Sequence, residues 1–302
     1  MRILHLDMGK EMRGGQWQAL RLIEGLMAHG IECALLARGG SPLGEAARQA
    51  GCQVAPAGFA RAATLARGCD LVHAHDARAH TLAALAGGAP LVVSRRVAFG
   101  AAGGFASRWK YGRPARFMAV SQFVKSTLVA RGVPAGKIAV VYDGVPLLDA
   151  TEPAGGRPRV LAPDTRDDPE KGLALARQAA QMAGAELELS ASLQRDLPGA
   201  AVFVYITYSE GLGSGALLAM SAGVPVVASQ VGGLPEIVRH RHNGLLVENR
   251  AEAIAAAIRE LLDDPPLARR LALAGRHTVM ERFTVEHMVQ GAMEVYRQVL
   301  SC

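Results

Sequence analysis

The residues best suited to chemistry lie in YSEGLGSGALLAMSAGVPVVAS, residues 208–229. An apolar run at 202–206 leads into Ser209-Glu210. Glycines follow at 211, 213 and 215, then a small-residue helical segment, then a second apolar run at 224–228. Strand, glycine turn and helix in that order set the N–H groups of Gly213, Ser214 and Gly215 at a helix start. There the unpaired donors and the helix dipole favour an anion such as a phosphate. Glu210 stands directly after the strand, where a carboxylate either meets a ligand or caps a helix. Leu218 breaks the pattern, since its side chain offers nothing to a polar ligand.

A second cluster is TRDDPEKG, residues 165–172. Arg166 and Lys171 at the mouth of a strand could clamp a diphosphate, arginine bidentately and lysine as a point charge. Asp167, Asp168 and Glu170 could equally make this a self-paired, solvated turn. Pro169 suits the first turn of a helix over 170–182. Near the N-terminus, Gly14 and Gly15 precede a helix and would let a ligand approach the backbone. The loop is not GxGxxG, so a dinucleotide fingerprint is absent, and a plain turn would look the same. His73 and His75 share one strand and are expected to face opposite sides. His75, beside Asp76 at the strand's carboxyl end, is expected to line the ligand cleft, and His73 to sit in the core. No His, Cys or Asp group shows metal spacing and no loop holds Asp-x-Asp, so metal-independent chemistry is expected.

These residues need a scaffold. Strands are expected at 2–6, 32–37, 70–75, 90–94, 116–120 and 138–142, with helices at 17–29, 43–50, up to 85, and 122–131. A Pro- and Gly-rich linker at 149–158 interrupts the alternation. It restarts with strands at 160–162, 186–189, 202–206, 224–228 and 243–247, and helices at 251–263, 266–282 and 285–300. Strands alternating with helices imply parallel sheets covered on both faces. Two such halves leave a cleft, the default ligand site in this class.

The 302 residues suffice for two cores, and 50 % hydrophobic content is ordinary for a globular chain. Cys33, Cys52, Cys69 and Cys302 lack metal or CxxC spacing and read as free thiols in a reducing compartment. No apolar run is long enough to span a bilayer, and the first residues read as a buried strand rather than an export signal. The net charge of +6 suits an anionic partner: a phosphorylated ligand, an acidic membrane face or nucleic acid. No aromatic-and-basic RNA signature or recognition helix supports nucleic acid, and arginines spread over the surface would give the same sum.

Taken together, the chain resembles the GT-B glycosyltransferases of family 4. The resemblance runs over nearly the whole length. It rests on Gly14-Gly15, on DLVHAHDARA, on FMAVSQFVKSTLVARGVPAGKIAVVYDGV, on Arg166-x4-Lys171-Gly172, and on the specific block SEGLGSGALLAMSAGVPVVASQVGGLPEIV with NGLLVE after it. It implies an α/β fold of two Rossmann-like domains facing a cleft. An acceptor-side domain at 1–150 and a donor-binding domain at 157–284 would be followed by a helix at 285–302 crossing back to the first. The second domain is expected to be shortened, because only SASLQRDLPGA separates the strands on either side of it.

The resemblance further implies a retaining hexosyltransferase using a nucleotide-diphosphate sugar as donor substrate, with no cofactor and no metal. Arg166 and Lys171 match the basic pair on the diphosphate, and Glu210 the first acid of the Glu-x7-Glu motif against the donor sugar. Gly213 and Ser214 match the phosphate turn, and Gly14 and Gly15 the loop bordering donor and acceptor. Two positions depart from the pattern. The second acid, partner of the ribose hydroxyls, falls on Leu218, and the histidine near the sugar falls on Arg96. Arg95 and Arg96 could instead meet an anionic acceptor or donor, and with His75 they are assigned to the acceptor side. The acceptor is expected to be a glycan, lipid-linked or lipopolysaccharide, with the enzyme cytoplasmic and peripheral on an anionic inner membrane face. A non-catalytic nucleotide-sugar or glycan-binding protein on the same fold is the alternative, motivated by Leu218, and a sugar-nucleotide oxidoreductase a weaker one.

Overall fold

The computed structural model describes residues 1–97, 104–150, 158–165 and 168–301. The expected linker thus lies mostly outside the described residues, as do Arg166, Asp167 and Cys302. The chain divides into two compact units, Met1–Gly144 with Val285–Cys302, and Val145–Thr284.

In the first unit, β1 (Arg2–Asp7), α1 (Gly14–Ala28), β2 (Glu32–Ala37), α2 (Pro42–Gln49) and β3 (Gln53–Pro56) build one half of a sheet. After α3 (Phe59–Ala66), the chain forms β4 (Leu71–Ala74), α4 (Ala77–Ala86), β5 (Leu91–Arg95), α5 (Phe105–Gly112), β6 (Arg116–Ala119), α6 (Gln122–Ala130) and β7 (Ile138–Val140). The strands are parallel in the order β3-β2-β1-β4-β5-β6-β7. The winding direction reverses between β1 and β4, whose carboxyl ends are Asp7 and Ala74, so a ligand is expected outside that pair of ends. β3, α3 and α5 were not foreseen. They are short, and β3 ends on a proline that an edge strand tolerates. The helix Val285–Leu300 buries Met288, Val289, Ala292, Val295, Tyr296 and Val299, the recurring stripe of a helix lying on a core. It covers α1 so closely that a Cβ on Gly25 would run into the Val289 side chain.

The second unit runs β8 (Val160–Pro163), a 3-10 turn Pro169–Lys171, α7 (Leu173–Met182), β9 (Leu187–Ser190), α8 (Leu193–Asp196) and β10 (Val202–Tyr205). Then come α9 (Ser214–Ser221), β11 (Val226–Ser229), α10 (Leu234–Ile237), β12 (Leu245–Val247), α11 (Ala251–Asp263) and α12 (Pro265–Arg282), before the last helix, α13 (Val285–Leu300). Its parallel sheet has five strands in the order β12-β11-β10-β8-β9, with only the single turn of α8 between β9 and β10. The helix expected from residue 170 starts at Leu173 instead. Gly172 interrupts it with φ 44°, a left-handed conformation, and a Cβ there would stand 2.8 Å from Ile206 Cγ2. The reversal in the second sheet falls between β8 and β10, and the two sequence clusters follow those two strands.

Candidate active site

Neighbouring strand ends bring Lys171 and Glu210 together. Lys171 Nζ donates to Glu210 Oε2 at 2.8 Å, and the Tyr205 hydroxyl donates to the same oxygen at 2.7 Å. The other carboxylate oxygen accepts the Gly211 N–H at 3.0 Å. The lysine and glutamate side chains keep 25 % and 15 % exposure, so the pair is partly open to a ligand. Burial, reinforced by the Glu210 charge and hydrogen bond, raises the Tyr205 phenol well above its usual range and keeps its proton in place as a donor. Beneath the pair, the Thr207 hydroxyl donates toward the carbonyls of Glu170 and Ser209, and Tyr208 N–H donates to Glu170 O at 2.8 Å. The lysine turn and the glutamate turn are therefore tied by backbone as well as by charge.

Glu210 does not cap α9, the reading that competed with a ligand role. Gly213 occupies the N-cap position with φ 107°, and no side chain caps the helix. A Cβ on Gly213 would lie 2.5 Å from Leu234 Cδ2. A Cβ on Gly232 or Gly233 would run into the carbonyl oxygen of Glu210 or Gly211 respectively. The loop is thus nested on the 232–233 turn, and Gly233 N–H donates to Glu210 O at 3.1 Å. Ser214 opens α9 partly exposed, while every residue from Gly215 to Ser221 is buried. Leu218 is 8 % exposed. A glutamate in its place would carry its carboxylate into this largely buried position, so a loss of stability is expected.

In the first unit, Gly14 and Gly15 form the first turn of α1, which also lacks a side-chain cap. A Cβ on Gly15 would lie 3.9 Å from Arg96 Cδ, which places Arg96 beside this helix start. Arg96 Nε donates to Asp143 Oδ1 at 3.0 Å, with only 13 % and 10 % of the two side chains exposed. The arginine expected to meet an acceptor is already paired with a carboxylate that its residue type and spacing did not announce. Both line a small pocket with Ser94, Leu22, Met118 and Met288. Arg95 is buried, its guanidinium 5.8 Å from the Tyr111 ring centre, so it packs rather than faces solvent.

The histidines correct two expectations. Residues two apart on a strand share a face, so His73 and His75 point the same way. Their rings lie 4.2 Å apart, and His5, paired with His73 across β1 and β4, joins them. His75 is buried rather than lining an open cleft. One ring nitrogen of each of the three lies within 4.8 Å of the others, a grouping with metal-ligand geometry that linear spacing did not reveal. His5 Nδ1 and His75 Nε2 are 3.0 Å apart. His73, however, spends both nitrogens, one on the Tyr296 hydroxyl at 2.7 Å and one on Ser94 Oγ at 2.8 Å. An ion held by all three would have to displace one of these partners. Burial lowers all three pKa values, that of His5 to about 3, so the imidazoles are neutral. Tyr205, Asp143, His5 and Tyr296 were not singled out by sequence. Only His5 carried a usable signal, its place on the strand next to β4 on the same face.

Residues 166–278 match the family described as Glycosyl transferases group 1, and residues 12–148 match Glycosyltransferase Family 4. The chain belongs to glycosyltransferase family 4. Its fold is GT-B, two Rossmann-like domains each built on a parallel sheet. The family 4 chain is 36 % identical over 150 residues to alpha-maltose-1-phosphate synthase of Mycolicibacterium smegmatis, covering 46 % of this chain and 39 % of that protein. The matched part therefore spans about two fifths of that relative's length. The fold is shared with HepE (Alr3699) of Anabaena, solved with UDP and glucose, at a TM-score of 0.86 and 18 % identity, over 99 % of this chain and 100 % of that one. It is shared with the lipopolysaccharide outer core galactosyltransferase WaaB in its apo form at a TM-score of 0.72 and 14 % identity, over 99 % and 100 %.

Proposed function

We propose that this family 4 glycosyltransferase moves a hexosyl group from a nucleoside diphosphate sugar to an acceptor hydroxyl with retention of configuration. The observation that carries the reading is the Lys171–Glu210 pair at the reversal point of the second sheet, beside the uncapped start of α9. Lys171, with Arg166, takes the diphosphate. The N–H groups at Gly213 and Ser214 receive a phosphate oxygen. Glu210, fixed by Tyr205 and Gly211, stands against the donor sugar. As the bond from the anomeric carbon to the diphosphate breaks, its electrons stay on the departing oxygen and an oxocarbenium-like centre forms. The acceptor hydroxyl attacks on the same face and its proton passes to the departing phosphate. Fixed cations and N–H groups that meet the developing charge supply most of the rate. In this reading Leu218 packs on the ribose where the family's second acid would bind its hydroxyls.

Gly14 and Gly15 border both donor and acceptor, and Arg96 belongs to the acceptor side. His75, being buried, acts there only through its neighbours. The acceptor is a lipid-linked or lipopolysaccharide glycan, a choice supported by the likeness in fold to WaaB, and the enzyme works in the cytoplasm at a membrane face. No described helix is long and apolar enough to cross a membrane.

Isothermal titration with UDP-, GDP- and ADP-sugars, followed by donor-hydrolysis and transfer assays, tests the reading. UDP-glucose comes first, because HepE was solved with UDP and glucose. Binding with turnover is expected. Binding without hydrolysis or transfer would favour the non-catalytic alternative to which Leu218 points, and binding of none of the sugars would sink both.

A further inference from the structure

The charge of the chain is segregated. Between Asp76 and Asp143 there is no acidic residue, yet the stretch holds ten of the 33 lysines and arginines. The remainder carries 23 basic against 27 acidic residues, so the net positive charge of the protein resides in this one stretch. Right-handed crossovers place α4, α5 and α6 on the face of the first sheet opposite α1 and α2, because the strands wind one way from β4 to β7 and the other way from β1 to β3. The helices of the acid-free stretch therefore lie together on one face of the unit.

On that face α5 has an unusual surface. Its inner side is anchored. The Tyr111 ring stacks on Phe117 at 5.7 Å and meets His80 edge-on at 5.3 Å, while Lys110 Nζ donates to Ala77 O at 2.7 Å. Its outer side carries Phe105, 87 % exposed, and one turn later Trp109, 41 % exposed. Residues four apart share a helix face, so the two aromatics form one apolar stripe. Exposed Arg108 and Arg113 flank it, the Arg113 guanidinium 5.7 Å from the Trp109 ring centre. An exposed aromatic stripe flanked by arginines matches an anionic bilayer surface. The phenyl ring enters the acyl boundary, the indole sits at headgroup level, and the guanidinium groups meet lipid phosphates.

We propose that α5 is the element by which the protein docks on anionic lipid, with Phe105 and Trp109 inserted and Arg108 and Arg113 on the phosphates. The inference rests on the membrane-linked acceptor above for its setting. Vesicle binding is measured without donor, so docking can fail while transfer stands, or the reverse. The full-length protein is sedimented with vesicles of phosphatidylcholine containing about 30 % phosphatidylglycerol, and with vesicles of phosphatidylcholine alone. Binding is expected to the anionic vesicles only and to weaken in about 0.5 M salt. Phe105→Ser with Trp109→Ser, and separately Arg108→Glu with Arg113→Glu, should each lower vesicle affinity at least about tenfold. Melting temperature and nucleotide affinity should stay unchanged. In a Trp17→Phe background, the emission of Trp109 should shift to the blue on the anionic vesicles. Unchanged vesicle binding in both variants, equal binding to neutral vesicles, or no binding would overturn the proposal. A concentration-dependent dimer that the aromatic variant abolishes would overturn it in favour of a self-interface.

Discussion

Replacing Glu210 with glutamine keeps an oxygen for the Gly211 N–H but removes the charge that holds Lys171 and the Tyr205 hydroxyl. Hydrogen bonds to charged groups contribute about 1.5–3 kcal/mol. Turnover should therefore fall about ten- to a hundredfold while the melting temperature moves little, because the pair is partly open to water. Lys171→Ala should weaken binding of the nucleoside diphosphate itself, measured by calorimetry. Equal affinity in wild type and variant would move the diphosphate elsewhere. Leu218→Glu is the sharper case. Burying a carboxyl group there costs at least what a neutral polar group costs, about 1–3 kcal/mol, so the melting temperature should drop by at least roughly 3 °C. If the nucleotide ribose lies against this residue, saturating UDP should recover part of the drop, and a loss without recovery removes Leu218 from the nucleotide site. Glu210 and Lys171 were legible in sequence because each follows an apolar run into a glycine turn. Tyr205 was not, since a tyrosine inside a strand announces only burial. Arg96 was legible as a cation but not as a paired one, because Asp143 is brought to it by folding alone.

The elements that carry the site depend on glycine turns more than on strands. Gly232, with φ 57°, lies where a Cβ would strike the Glu210 carbonyl. Gly232→Ala should displace the Glu210 loop, and activity should fall further than stability, read as kcat against the urea midpoint. Wild-type kcat in this variant would show that the loop has slack. On the other unit, Tyr296→Phe strips His73 of the partner on its Nδ1 atom. A buried polar atom left alone costs about 1–3 kcal/mol, so hydrogen exchange along α13 should speed up. Exchange equal to wild type would mean the hydroxyl does not hold the helix down. The long amphipathic helices and the buried parallel strands could be read from periodicity. The one-turn helices α8 and α10 and the eight-residue α5 could not. Such short segments carry too few periods to stand out, and α5 has no fully buried residue, only partly buried ones such as Lys110 and Tyr111.

At the scale of the molecule, the buried histidines set a response to acid. His5 and His80 are pushed down to about 3 by burial, and His73 and His75 are also lowered by burial. An unfolded histidine titrates near 6.5, so between there and about 3 the unfolded chain binds protons that the folded chain refuses. Stability should be full above about pH 7 and fall as pH drops through 6.5, followed by urea denaturation across pH 4 to about 8. A flat profile over that range would mean the cluster is already protonated or hydrated in the native state. All four residues lie in the first unit, so that unit should fail first in acid. The same unit is discontinuous in sequence, since Val285–Leu300 returns to it after the whole of the second unit. On the ribosome, then, the first 144 residues emerge with β1, β4 and α1 lacking the Val289 and Tyr296 side that seals them. The second unit has every one of its residues available before that seal is made. Nascent chains arrested before residue 285 should show a protease-resistant second unit beside a first unit that binds chaperones, and the first should close only when α13 arrives.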